Sequence, residues 1–106
     1  MCGIVASFAA HAGGASNIEQ AVELVATNVM PVYGSSACRR FMAEGEIHAD
    51  FDIVIRERRN ATCGGDAAVS PVVDRFRVPR DSDVILWMDP ASGEYVPYGR
   101  FLHRRR

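Results

Sequence analysis

Apolar residues change their spacing midway along this chain. Between Ile18 and Val29 they recur at helical intervals, as Ile18, Val22, Val25 and Val29, with Ala21 widening the stripe. Ahead of the stripe stands Ser16-Asn17-Ile18-Glu19, which reads as a capping box. The Ser16 hydroxyl would accept from the amide three residues on, and Glu19 would reach back to the cap. The pattern predicts a helix from Asn17 to about Thr27, because Pro31 disfavours helical geometry in the residue before it. Gly3 to Ala10 is continuous and apolar, the pattern of a short buried strand. Val29 to Tyr33 predicts a second short strand, confined by Pro31 to an edge. Ser35 or Ser36 then caps a second predicted helix through Cys38, Phe41 and Met42, stopped by Gly45. Arg39 and Arg40 would stand early in that helix, against the dipole preference.

From Phe51 onward the period is two. Phe51, Ile53 and Ile55 share one face of a strand running to Arg58. After an exposed loop around Gly64-Gly65-Asp66, Val72, Asp74, Phe76 and Val78 share one face of the next. Val84 to Met88 is a third such run, sending Val84, Leu86 and Met88 one way and Ile85 and Trp87 the other. Asp89-Pro90-Ala91-Ser92-Gly93 then forms a turn, with Gly93 where a left-handed residue is wanted, and Glu94 to Tyr98 returns as the partner strand. Helices early and antiparallel strands late predict an α+β fold. We expect a single small domain over residues 1–106: one or two helices packed on a mainly antiparallel sheet of four to five strands, ending in a β-hairpin.

Composition adds limits. The 106 residues have room for one hydrophobic core, and 48% apolar with 24% charged residues is ordinary for a globular chain. The formal net charge of −1 gives no overall pull toward nucleic acid or an anionic membrane, and little repulsion between copies. All 12 basic residues are Arg, the better residue for interface ion pairs and stacking. Cys2, Cys38 and Cys63 are odd in number and irregularly spaced, which predicts no disulfide framework and no zinc site; a reducing, cytoplasmic compartment fits, or a particle assembled there. His11, His48 and His103 have no spacing that demands a metal, so none is expected, and no cofactor either. The apolar start lacks a preceding basic residue and is too short to span a membrane.

Five features could carry chemistry. Met1-Cys2-Gly3-Ile4-Val5 resembles the start of the class II glutamine amidotransferases, which implies a Cys2 thiolate attacking an amide with the terminal amine as local base. The resemblance covers five residues; Ala6 replaces a family glycine, and the family's later Asn-Gly and Asp motifs have no counterpart. The loop Gly13-Gly14-Ala15-Ser16-Asn17 is similar to the phosphate-gripping turn of the glycinamide ribonucleotide formyltransferases. That implies anion binding by Gly13, Gly14, Ser16 and Asn17 at a helix N-terminus, though the Asn, His and Asp of the transfer chemistry are missing. A capped helix after a loop explains the same residues.

The C-terminus offers Arg100, Arg104, Arg105 and Arg106 around Phe101, a basic tail able to grip nucleic-acid phosphates or an acidic partner, or else solvated and untethered. Arg56, Arg58 and Arg59 could add a second patch. Trp87, Tyr95, Tyr98 and Phe101 cluster on the last hairpin with the composition of an interface or of a core-facing hairpin. No convergent catalytic set is present, so the expected function is non-enzymatic. It would be a binding or structural protein working through protein–protein contacts, as a homo-oligomer or in a larger assembly; a phage or mobile-element protein would fit. The alternatives are a phosphate- or nucleotide-binding domain using the Gly13–Asn17 loop, and a nucleic-acid binder using the Arg tail.

Overall fold

The computed structural model describes residues 14–33, 38–47 and 50–104. The strand expected over 3–10, together with Cys2, Gly13, His11, Ser35, Ser36, His48, Arg105 and Arg106, lies outside them. Helix α1 runs Ile18–Val29, two residues longer than expected, because Met30 is itself αR and the chain passes into a 3-10 turn over Met30–Tyr33. The expected edge strand at Val29–Tyr33 is therefore helical. Proline at the second position of a short turn supplies a fitting φ and gives up an amide that needs no partner there.

The cap also lies one residue further on than the sequence suggested. Asn17 is the N-cap and its Oδ1 accepts from the Gln20 amide at 2.8 Å, while Gln20 Oε1 accepts from the Ser16 amide at 2.8 Å and hydroxyl at 2.9 Å. The box is thus Asn17–Gln20, and Ala21, Val25 and Val29 form the buried stripe behind it.

Five strands follow as a meander: β1 Arg39–Ile47, β2 Asp50–Glu57, β3 Val72–Pro79, β4 Leu86–Asp89 and β5 Glu94–Pro97, hydrogen-bonded in that order and antiparallel throughout. The expected α+β class is what the structure has. The second helix expected through Cys38 to Gly45 is strand β1. A short isolated helix must meet its nucleation cost alone, whereas β1 pairs with β2 from Arg39↔Glu57 to Ile47↔Asp50. Gly45 is no helix cap but part of the register shift against β2. The last described element is helix α2, Gly99–Arg104, where the sequence alone suggests a basic tail from about residue 100. Phe101 is the reason: it is fully buried and meets the rings of Phe76, Trp87 and Tyr33.

The core lies on one face of the sheet. Phe51, Ile53 and Ile55 of β2 and Phe76 and Val78 of β3 pack with Val25 and Val29 of α1 and with Phe101. Asp74 is buried among them; it accepts from the Tyr33 hydroxyl at 2.5 Å and the Trp87 indole at 3.0 Å. A buried carboxylate needs such donors to remain in an apolar setting. On the other face, Val54 is 2% exposed although no helix among the described residues packs there. Long side chains lie across instead. Arg77 grips both Asp52 carboxylate oxygens, at 2.7 and 3.2 Å, and rests over the Tyr95 ring at 4.1 Å; Arg75 pairs with Glu44. Arginine stems cover apolar surface while their heads stay paired.

Cys38 and Cys63 are joined in a disulfide, with Cα atoms 5.6 Å apart, against the expectation of unpaired core cysteines. Spacing alone could not reveal this, because the chain reverses at β2 and the 58–71 loop returns to the start of β1.

Candidate anion-binding site

Strand pairing brings the arginines together. Arg40 stands directly opposite Arg56 in the β1–β2 register, so both point to the same side of the sheet. Like charges placed this way repel unless something negative or polar intervenes. Here Ser70 does. Arg56 Nη1 donates to its carbonyl at 2.7 Å, Arg40 Nη2 to its hydroxyl at 3.3 Å, and that hydroxyl donates onward to the Glu57 carbonyl at 3.0 Å. The ladder continues past β2, where the Arg58 amide donates to the Cys38 carbonyl at 2.8 Å. This carries Arg58 and Arg59 to the mouth of the 58–71 loop.

Between strand and loop lies a cavity of about 250 Å³, lined by Arg40, Arg58, Arg59, Ala67, Val69 and Ser70. Arg59 Nε donates to Glu57 at 2.7 Å. Among the described residues no carboxylate pairs with Arg40 or Arg58. Three guanidiniums therefore face the cavity against one carboxylate. Arg40 Nε is buried with no acceptor, as is Arg39 Nε next to it; the Arg39 guanidinium lies over the Tyr33 ring at 5.6 Å. A buried N–H without a partner is costly; at the cavity, the Arg40 Nη2 is held by the Ser70 hydroxyl. Guanidinium forks match phosphate and carboxylate oxygens in pairs.

Among the described residues, the loop, tail and hairpin residues singled out from sequence lie in separate places. Gly14 has φ +83° and packs so closely on the Ser82 backbone that a Cβ would overlap it. Ala15 bridges to Ser82, its amide donating to the Ser82 carbonyl at 3.0 Å. Ser16 and Asn17 are engaged with Gln20 in the cap. Arg100 lies beside Asp89 and His103 at a cavity of about 480 Å³, and Arg104 closes α2. Trp87 and Phe101 are core residues, Tyr98 packs half-buried against the core, and Tyr95 sits on the opposite face beneath Arg77. Arg58 and Arg59 were grouped from sequence, whereas Arg40 was placed on a helix. The signal that could have found it is Arg39-Arg40 and Arg56-Glu57-Arg58-Arg59 standing at matching ends of two adjacent strands.

Among the described residues no cluster of His, Cys, Asp or Glu could hold a metal, and no helix is long and apolar enough to cross a membrane. Compared with known proteins, the chain matches no protein-family model, no curated protein and no solved structure.

Proposed function

We propose that this chain is a non-catalytic binding protein that takes a phosphate-type dianion in the pocket formed by Arg40, Arg58 and Arg59. The observation that carries the reading is that Arg40 and Arg58 line a partly enclosed cavity with no carboxylate paired to either among the described residues. A dianion suits three guanidiniums facing one carboxylate better than a monoanion does. The Ala67 and Val69 wall restricts water on one side, which strengthens each charge-assisted bond. Among the described residues, none beside the pocket supplies a nucleophile with an adjacent base, so binding and not turnover is the reading.

The test is calorimetric titration with inorganic phosphate and pyrophosphate. Saturable binding is expected, weakened by salt. Arg40→Ala or Arg58→Ala should each lower affinity about 10- to 100-fold, as loss of a charge-assisted hydrogen bond implies. Absence of binding, or variants that bind as well as the parent, rejects the reading.

A second reading, self-association, is favoured by the sheet face opposite α1, where Met42, Leu86, Met88 and Tyr95 are half-buried. Light scattering over a range of protein concentrations tests it. A dimer lost on Met88→Glu supports this surface, and a monomer at every concentration removes it.

A further inference from the structure

The pocket wall and the strand facing it are tied by one covalent bond. Cys38 lies two residues before Arg40, and its carbonyl accepts from the Arg58 amide. Cys63 lies in the loop that goes on to supply Ala67, Val69 and Ser70. The hydrogen bonds of the loop fall into two sets. At its base, the Glu57 amide donates to the Pro71 carbonyl at 2.9 Å and Arg56 holds Ser70. Further out the bonds are local: Asn60 Oδ1 accepts from the Thr62 and Cys63 amides, and the Val69 amide donates to the Asp66 carbonyl. These local turns shape the loop, and the disulfide ties it to the start of β1. Residues 64 to 69 are exposed, and both cysteines are half-buried.

We propose that the Cys38–Cys63 disulfide is a redox switch on the anion pocket, formed for binding and opened by a dithiol reductant; the proposal rests on the anion-binding reading. A reductant thiolate attacks one sulfur, forms a mixed disulfide and releases the other cysteine as a thiolate. The second reductant thiol then displaces the bound cysteine. Two electrons pass to the protein, the two cysteine thiolates take up protons, and the reductant leaves as its own disulfide. With the bond open, the loop loses its covalent tie to the start of β1, and the Ala67–Val69 wall encloses Arg40 and Arg58 less firmly. The ordering entropy of the loop then falls on the binding step.

The test is amide hydrogen exchange and pyrophosphate titration on the oxidised protein and on protein kept in dithiothreitol. Reduction should speed exchange at Thr62, Cys63, Gly64 and Val69, leave β2 and β3 protected, and weaken pyrophosphate binding at least tenfold. The double variant Cys38→Ala/Cys63→Ala should match the reduced protein in both measurements, with or without reductant. Unchanged exchange in the loop overturns the switch, as does unchanged affinity despite a loosened loop. Collapse of β2 and β3 protection to the level of the loop overturns it too, since the bond would then be holding the whole fold. In these three cases oxidised protein that still binds leaves the anion reading standing. Oxidised protein that binds no pyrophosphate overturns both.

Discussion

Single residues in this protein are fixed by what lies across from them. The Tyr95 phenol is held above its ordinary value of 10.0, first by burial and then by the Asp52 carboxylate. The folded chain thus keeps the phenol proton more tightly than the unfolded chain does. That contribution to stability is complete below the unfolded value of about 10 and disappears as pH rises through the folded value. Alkaline unfolding followed by circular dichroism should therefore steepen above pH ~10, and Tyr95→Phe should flatten that limb. Arg77 over its ring is held charged by its bond to Asp52, so the face keeps its ion pairs throughout that range. The period-two pattern gave these residues their side of the sheet. It could not give their partners, because the β2–β3 register that sets Asp52 against Arg77 is a long-range fact. Gly14 teaches the same lesson: a glycine-rich loop before a helix is compatible with anion binding, yet the glycine here permits contact with Ser82, far along the chain.

At the scale of elements, local signals worked where the element could form largely by itself. α1 was legible from its stripe and its cap, with an error of one residue because Ser16 and Asn17 are both good caps and Gln20 decides between them. Asn17→Ala should cost about 1 kcal/mol, measured by urea denaturation, whereas Ser16→Ala should cost less. The terminal hairpin was legible because Asp89 to Gly93 carries its turn chemistry locally; the Gly93 amide donates to the Asp89 carbonyl at 2.7 Å, and Gly93 has φ +72°. β1 was misread because Phe41, Met42 and Gly45 fit a capped helix about as well as a strand. What decides is β2, which offers Ile55 opposite Phe41. The candidate site inherits that error, since Arg40 joins Arg58 only when β1 is a strand.

Over the whole molecule, the disulfide closes a sequence separation of 25 residues. In the chain-entropy account, removing it with Cys38→Ala/Cys63→Ala should cost about 3 kcal/mol. A lowered urea midpoint with an unchanged slope would show the loss, and a retained cooperative transition would show that the sheet does not need the bond. The sequence by itself determined the α+β class, α1 and the later strands with their inward faces. Each of these follows from propensity, periodicity or a turn written within a dozen neighbouring residues. Tertiary structure alone decided that β1 is a strand, that Cys38 meets Cys63, that Phe101 pins helix α2 to the core, and that Arg40, Arg58 and Arg59 share one pocket. The physical reason is common to all four: each depends on backbone pairing or burial between segments far apart in the chain, which local spacing does not encode.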